Sequence, residues 1–233
     1  MSDNFDIVLF DAGGTLLGTN TDHEHWYEQF FVDACAEQGT TVTSQAVSEA
    51  LKAAGETAPL APRCSTPEQV RDFWFHIYSG AFERLLSGCD SQDLANHYID
   101  RFESGEFLEL FADALPTLDA LAAQGIRAGV VSNFGVYLRD FLDITGITQY
   151  FDFVLISASE GCEKPDPEIF RRALGKAACP PERILFVGDH PVEDYQASGR
   201  HEMRPLLIDR HNRHSKLQDV HRISHLTELL SLL

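Results

Sequence analysis

The sequence predicts an α/β fold, in which a Rossmann-like parallel sheet core carries an inserted all-helical domain. Short apolar runs alternate with helical stretches along most of the chain, and polar residues follow each run. Residues from about 18 to 105 contain no comparable run. Apolar runs of this kind are typical of parallel strands buried on both faces, and alternating strands and helices form βαβ units with one sheet between two helical layers.

Five apolar runs are the predicted strands, at residues 7–10, 128–131, 153–156, 184–187 and 205–208. The stretches between them predict helices at about 115–124, 136–145 and 167–177, and the tail predicts a closing helix at 226–233. We assign residues 1–18 and 106–233 to this α/β core.

Residues 19–105 are predicted to form a helical domain with its own aromatic core. Trp74, Tyr78 and Phe82 recur every four residues and would share one helix face, as would Trp26 and Phe30. Residues 20–105 carry 14 acidic and five basic side chains, so this stretch holds half of the net charge of −18.

The charge balance excludes several classes of partner. Among 233 residues there are 36 Asp and Glu but 18 Lys and Arg, which argues against binding to nucleic acid or to anionic membranes. No apolar run reaches the roughly 18 residues of a membrane span, and no basic stretch precedes an apolar one near residue 1. We therefore expect a cytoplasmic protein with a small-molecule partner, either a monomer or a homodimer.

The five cysteines are dispersed and form no CxxC pair, which indicates free thiols and neither a zinc site nor a disulfide framework. They are Cys35, Cys64, Cys89, Cys162 and Cys179. Other catalytic motifs are missing: there is no GxxxxGK[ST] or GxSxG, and six residues separate Cys64 from Arg71 where a cysteine-phosphatase loop has five.

Polar side chains follow the predicted strands, at the edge of an α/β sheet where ligands bind. They are Asp11, Ser132, Asn133, Lys164, Asp189, Glu193 and Asp194. Carboxylates from two strands suit a hard divalent cation such as Mg²⁺, while a hydroxyl and a lysine can neutralise phosphate oxygens. A carboxylate can also attack phosphorus and form an aspartyl-phosphate.

Four motifs, in order and each just past a predicted strand, resemble the haloacid dehalogenase (HAD) superfamily of hydrolases, subfamily I, with a helical cap. They are FDAGGTL at 10–16, VVSNFG at 130–135, EKPDPEIF at 163–170 and VGDHPVED at 187–194. The last motif, followed by Tyr195 and Gln196, is also similar to the HDHD3-like (REG-2-like) branch.

The resemblance implies a Mg²⁺ site and a nucleophile. Asp11 would be both the nucleophile and a metal ligand, with the Gly13 carbonyl and Asp189 as further ligands. Asp194 would support the metal through water or by orienting Lys164.

The resemblance also implies a phosphoryl-binding site. Ser132 and the backbone of Asn133 would bind the phosphoryl oxygens, and Lys164 would steady the nucleophile and the transferred group. Gly14 and Thr15, in the turn of the first motif, are assigned to substrate binding.

Position 13 departs from the family pattern. Family phosphatases have an aspartate here that protonates the leaving oxygen, whereas Gly13 has no side chain. General acid–base catalysis is typically worth about 10²–10⁴-fold. The expectation is a slow phosphatase of small phosphomonoesters, one restricted to good leaving groups, or one with a substitute acid such as His190, His23 or His25. The alternative is a catalytically weak or inactive protein that binds a phosphorylated metabolite or a protein partner.

Two other chemistries are less favoured. Dehalogenases of the superfamily lack the Gly188–Asp189 pair found here, which argues against C–halogen hydrolysis. Phosphonatases use a cap lysine, and Lys52 is the only lysine in the insert, but we interpret it as a solvated helix-surface residue. The tail histidines are expected to face solvent; they are His201, His211, His214, His221 and His225.

Overall fold

The structure, a computed structural model, describes residues 5–19, 26–59 and 66–233. The chain divides into two compact units, one of Met1–Gly18 with Leu108–Leu233 and the other of Thr19–Phe107. The second unit is thus an insertion between the first and second strands of the main sheet of the first unit.

Eight strands lie in the described residues: β1 (Ile7–Phe10), β2 (Leu17–Thr19), β3 (Leu108–Leu110), β4 (Arg127–Ser132), β5 (Phe151–Ile156), β6 (Ile184–Gly188), β7 (Arg204–Ile208) and β8 (Arg222–Ile223). Six of them form a parallel sheet in the order β5-β4-β1-β6-β7-β8, and β2 pairs with β3. The five predicted strands are confirmed.

The α-helices of the described residues are α1 (Trp26–Glu37), α2 (Ser44–Thr57), α3 (Pro67–Leu85), α4 (Ser91–Glu103), α5 (Ala114–Ala123), α6 (Leu138–Ile144), α7 (Ser157–Glu160), α8 (Pro167–Ala177) and α9 (Ala197–Arg200). Helix α8 shows how the sequence sets such boundaries. The Asp166 side chain accepts the N–H of Glu168, and Pro167 occupies the first turn, where its missing N–H costs nothing.

Strand β1 lies at the centre of the sheet and is buried along its whole length. Alternate residues face opposite sides: Val8 and Phe10 belong to one apolar cluster, and Ile7 and Leu9 to another. Its last residue, Phe10, is in register with Val130 of β4 and Val187 of β6. The chain leaving β1 therefore emerges between the ends of β4 and β6.

The second unit, described by itself, is built from helices α1–α4 around an aromatic core. The rings of Phe31 and Phe82 stack 4.8 Å apart, and Tyr78 and Tyr98 are buried beside them. Trp74 was expected in this core, but that prediction is wrong, because its side chain is 40% exposed. Its described ring contacts are with neighbours on its own helix, at 5.4 Å and 5.6 Å.

The predicted pair Trp26 and Phe30 can be checked only at Phe30. Phe30 packs on Tyr98 and Phe107, with ring centroids 3.9 Å and 4.5 Å apart. The side chain of Trp26 lies outside the described residues.

The predicted closing helix at 226–233 is wrong in type, because the segment forms a 3₁₀ helix at Leu226–Ser231. Leu226 and Leu229 are both fully buried, and their spacing of three residues fits a 3₁₀ turn, in which residues i and i+3 share one face. The N–H groups of Ser224 and His225 both bind the Glu228 carboxylate, which tightens the start of this turn.

Two further expectations concern the chain as a whole. Within the described residues, Cys35, Cys89, Cys162 and Cys179 form no disulfide, and Cys64 lies outside those residues. Within the described ranges, no helix combines the length and the apolar character that crossing a bilayer requires.

Candidate active site

Three of the predicted site residues meet at the carboxyl edge of the sheet because their strands are neighbours. Asp11 follows β1, Ser132 ends β4 on one side, and Asp189 follows β6 on the other. The Asp11 N–H donates to Val187 O at 2.9 Å, so the first turn beyond β1 stays tied to β6.

Lys164 reaches this edge from the loop between α7 and α8. Its Nζ lies 2.7 Å from Asp11 Oδ1 and 2.6 Å from Asp194 Oδ1, and also 5.7 Å from the centre of the Phe186 ring. The side chains of Lys164 and Asp194 are each 2% exposed and that of Asp11 is 10% exposed, so this bridge is shielded from water. Charge-assisted bonds of this length and burial orient the Asp11 carboxylate strongly.

The site contains more negative than positive charge. Asp11, Asp189 and Asp194 each offer one carboxylate oxygen, and these three oxygens lie within 4.8 Å of one another. The positive charge beside them is the ammonium of Lys164. Ionised, the group would carry an excess of two negative charges, which matches a divalent cation. The donors are hard carboxylate oxygens, as Mg²⁺ prefers, so these residues fit that ion.

The pKa shifts follow from this crowding. Burial, with the charges of Asp11 and Asp194 added, raises the pKa of Asp189 to about 7. Burial also raises the pKa of Asp11, and the opposing charge of Lys164 does not cancel this effect. Burial alone would lower the pKa of Lys164, but the charges of Asp11 and Asp194 outweigh it and raise that pKa.

Asp194 reaches the site from a π-helical turn, Pro191–Gln196, that follows Asp189. Its Oδ2 accepts the N–H of His190 at 2.9 Å, while its Oδ1 holds Lys164. A Cβ added to Gly188 would lie 2.3 Å from Asp194 Cγ, so only glycine at the end of β6 leaves room for this carboxylate. Such π turns often occur where a helix must aim a functional side chain.

Asn133 holds the backbone of Lys164 with its side chain. Its Oδ1 accepts the Lys164 N–H at 2.7 Å, and its Nδ2 donates to the Lys164 carbonyl at 2.8 Å and to Glu193 Oε2 at 3.1 Å. Sequence reasoning assigned only the backbone of Asn133 to a role and gave none to Glu193.

The Ser132 hydroxyl is available for a ligand. Ser132 is 1% exposed and opposes a small part of the rise in the pKa of Asp11, yet its Oγ makes no hydrogen bond of ordinary geometry to any residue in the described ranges. A buried hydroxyl without a partner is costly, and a bound oxygen acceptor would satisfy it.

Gly14 and Thr15 lie in the turn after Asp11. The Gly14 N–H donates to Leu17 O at 2.8 Å and the Thr15 N–H to Ala12 O at 3.3 Å, so both amides are used within the loop. The Thr15 hydroxyl is buried and has no hydrogen-bond partner among the described residues. Substrate binding by this pair stays a prediction.

At Gly13, where the family pattern has an acid, the described side chain within 4 Å of an added Cβ is that of Phe134. A Cβ built there would lie 3.5 Å from Cε2 of Phe134, so hydrocarbon borders the position. The His190 ring caps the π turn instead: its Nδ1 accepts the N–H groups of Val192 at 3.2 Å and Glu193 at 3.0 Å. Nδ1 is thus occupied as an acceptor in this arrangement, and a role for His190 as a substitute acid stays a prediction.

The remaining candidates are Lys52 and several histidines. Lys52 is exposed on α2, as interpreted, and His23 and His25 lie outside the described residues. The expectation for the tail histidines is wrong for His201, whose ring stacks on Phe170 with centroids 5.0 Å apart, and burial lowers the pKa of this histidine.

A second charged cluster at the same edge was missed from the sequence. The Arg210 guanidinium forks onto Asp113, with N···O distances of 2.9 Å and 3.0 Å, and Nη2 also donates to Thr15 O at 2.7 Å. Arg210 lies two residues beyond β7, so the rule that found the other site residues also applied to it.

Comparison with curated proteins shows several relatives. The chain is 36% identical over 141 residues to mouse haloacid dehalogenase-like hydrolase domain-containing protein 3, covering 59% of this chain and 56% of the mouse protein. It is 26% identical over 209 residues to the Rhythmically expressed gene 2 protein of Drosophila melanogaster, covering 83% and 79%. A glyceraldehyde 3-phosphate phosphatase of Methanothermobacter thermautotrophicus is 35% identical over 104 residues, covering 44% and 46%. The chain thus spans about half the length of its vertebrate relatives.

Solved structures share the fold. A 2-haloacid dehalogenase from Pseudomonas syringae superposes with a TM-score of 0.67 at 24% identity, covering 98% of this chain and 97% of that one. Magnesium-bound YfnB from Bacillus subtilis superposes with a TM-score of 0.72 at 17% identity, covering 99% of each. The haloacid dehalogenase-like hydrolase family model matches residues 5–200, most of the chain. This protein is a member of the haloacid dehalogenase-like hydrolase family, as its four motifs predicted.

Proposed function

We propose that the protein is a Mg²⁺-dependent hydrolase of small phosphomonoesters that acts through an aspartyl-phosphate on Asp11. One observation carries the proposal: the buried Lys164 ammonium joins Asp11 to Asp194, and Asp189 lies in the same cluster. A carboxylate oriented by an ammonium, next to a site for a divalent cation, suits in-line attack on a phosphoryl group.

The relatives support the same class of reaction. The proteins from Methanothermobacter and Methanopyrus named glyceraldehyde 3-phosphate phosphatase are 35% and 34% identical to this chain over about half of its length. They favour a phosphate ester over a C–halogen bond as the substrate.

The chain's own residues would divide the chemistry between them. Asp11 Oδ attacks phosphorus as the bond to the leaving oxygen breaks, and water then hydrolyses the resulting acyl phosphate. Lys164 balances charge on Asp11 and on the phosphoryl oxygens, and the unpartnered Ser132 hydroxyl donates to one of those oxygens.

Asp11, Asp189 and the Gly13 carbonyl would hold Mg²⁺, and Asp194 would support the site without binding the ion directly. When bound, the ion supplies charge neutralisation that brings a phosphate dianion and a carboxylate together. Asp194 keeps Lys164 aimed at Asp11 and so maintains the charge balance around the ion.

A second candidate function is a catalytically weak protein that binds a phosphorylated metabolite or a protein partner. Gly13 favours it, since the position where the family places an acid faces the Phe134 ring. Without a general acid, alkyl phosphates with poor leaving groups should react slowly.

The wider setting is also a proposal. The helical unit Thr19–Phe107 would act as a cap that selects a small phosphorylated metabolite. The acidic chain would work in the cytoplasm, as a monomer or a homodimer, without contact to nucleic acid or membrane.

A panel of aryl and alkyl phosphates, assayed for released phosphate with and without Mg²⁺, tests the first candidate. Wild type should release phosphate only with Mg²⁺, Asp11→Asn should release none, and the exposed Asp140→Asn should match wild type. Acid-quenched wild-type protein should carry a phosphoryl group on the peptide containing Asp11. If wild type does not exceed Asp11→Asn on any ester, the weak-binding alternative is favoured.

A further inference from the structure

Arg210 joins three parts of the first unit through one guanidinium group. Its two terminal nitrogens bind both oxygens of Asp113, at the start of α5, and Nη2 also donates to the carbonyl of Thr15 at 2.7 Å. The side chains of Arg210 and Asp113 are only 10% and 13% exposed. The family resemblance and the motif analysis gave this group no role.

Thr15 O belongs to the loop that carries Asp11. The N–H groups of Leu16 and Leu17 both donate to Ala12 O at 2.9 Å, so residues 12–17 form one tight turn directly after Asp11. Displacing Thr15 O would therefore move the whole turn and, with it, the adjoining Asp11. Among the described residues, the side chain that hydrogen-bonds to the Thr15 carbonyl is that of Arg210.

The guanidinium is itself held on several sides. Its Cζ lies 3.7 Å from the centre of the Phe111 ring, and the Phe111 N–H donates to Leu16 O at 3.0 Å. Asp113 also accepts the Leu226 N–H at 2.8 Å. A planar fork that also stacks on a ring is a task for arginine that lysine cannot perform.

We propose that Arg210 is a positioning residue, which fixes the Asp11 loop so that the Asp11 carboxylate is ready to attack. This inference rests on the proposed function, because it assigns the loop's rigidity a part in that reaction. A group displaced by about 1 Å can cost about 10²-fold in rate, so loss of one tether can matter without any contact to substrate.

Arg127 provides a matched control at the opposite end of the sheet. Its guanidinium also joins a carboxylate, Asp152 at 3.2 Å, to a carbonyl, Ala177 O at 2.6 Å, but at the start of β4. Arg210→Lys and Arg127→Lys thus make the same chemical change, and only the first touches the Asp11 loop.

The test uses para-nitrophenyl phosphate with Mg²⁺ on the full chain, well below the unfolding temperature of each variant. Arg210→Lys should lower kcat about tenfold to a hundredfold with little change in KM, and Arg127→Lys should keep the wild-type kcat. Hydrogen exchange of the amides of residues 12–17 should accelerate in Arg210→Lys alone. This second readout does not depend on activity.

The outcomes separate the inference from the proposed function. If kcat and loop exchange in Arg210→Lys equal those of Arg127→Lys, Arg210 contributes only stability and the inference is overturned. If wild type itself releases no phosphate, the proposed function fails, while faster loop exchange in Arg210→Lys would still support the tether. Unchanged exchange would overturn it.

Discussion

The carboxylate of Asp189 packs directly against the backbone of Gly14: a Cβ added to Gly14 would lie 2.2 Å from Asp189 Oδ2. Gly14 also has φ +71°, in the left-handed region that favours glycine. The position of the Asp189 carboxylate in the candidate metal site therefore requires a residue without a side chain at position 14, in the loop that follows Asp11.

Gly14→Ala should displace Asp189 and weaken Mg²⁺ binding at least about tenfold, whereas Gly146→Ala should not. Gly146 has a similar φ of +73° with nothing within 4 Å of an added Cβ, so that variant isolates the backbone strain of about 1 kcal/mol. Titration calorimetry with Mg²⁺ measures the difference. Equal affinities for the two variants would mean that Asp189 can move aside.

Lys164→Met should abolish activity and destabilise the protein, because it leaves Asp11 and Asp194 buried without their cation. Breaking a buried pair typically costs about 3–5 kcal/mol. Adding Asp194→Asn should restore part of this stability in urea denaturation but no activity. The exposed Lys176→Met on α8 is the control and should resemble wild type. Activity in the double variant would remove Lys164 from the mechanism.

Asp189→Asn should stabilise the metal-free protein and abolish its stabilisation by Mg²⁺. Burial, with repulsion from Asp11 and Asp194 added, raises the pKa of Asp189 from its ordinary 3.8 to about 7. Ionised Asp189 therefore destabilises the folded state, by an amount that grows as the pH rises between these two values and is complete at pH 8, and the substitution removes this cost. Thermal unfolding at pH 8 in EDTA should show an increase of several degrees, and Mg²⁺ should raise the Tm of wild type only. A lower Tm in EDTA would contradict the repulsion argument.

Asp113 should make stability depend on pH. Although burial opposes it, hydrogen bonds from Arg210 and Leu226 hold the pKa of Asp113 below its ordinary value of 3.8. Its contribution is therefore complete above about pH 5 and lost as the pH falls below about 4. Asp113→Asn should cost about 3 kcal/mol at pH 7 and progressively less towards pH 3.5.

The comparison is best made in a His225→Gln background, because the imidazole of His225 lies 3.8 Å from the Asp113 carboxylate. Urea midpoints give the free energies. A cost that stays constant between pH 7 and pH 3.5 would show that the Asp113 charge does not contribute.

Gly13→Asp should restore general acid catalysis. The added Cβ would make ordinary contact with Phe134 at 3.5 Å, so a side chain fits there. Wild-type rates should fall steeply as the leaving-group pKa rises across a series of phosphate esters, and Gly13→Asp should flatten this dependence and raise alkyl-ester rates about 10²-fold or more. An unchanged slope would indicate an acid supplied from elsewhere.

The strands and the first four site residues were predictable because each depends on a local pattern. An apolar run of four residues specifies a buried parallel strand, and parallel strands place whatever follows them at one edge. Asp11, Ser132, Lys164 and Asp189 could therefore be grouped in advance.

The pairing of site residues with one another depends on packing that no local pattern encodes. Arg210 and Asp113 are 97 residues apart, and Asn133 and Glu193 are 60 apart, so their pairing appears only in the folded chain. Trp74 had the right spacing for a core residue, but spacing alone does not determine which residues along a helix face are buried.

The position of β1 in the middle of the sheet also has a consequence during synthesis. Strand β1 leaves the ribosome before its neighbours β4 and β6, which begin at residues 127 and 184. At usual translation rates an apolar strand stays unpaired for roughly 10–30 s. We expect chaperones to bind this nascent segment. We also expect any chain that stops before β6 to lack the carboxyl edge of the sheet at which Asp11 and Asp189 meet.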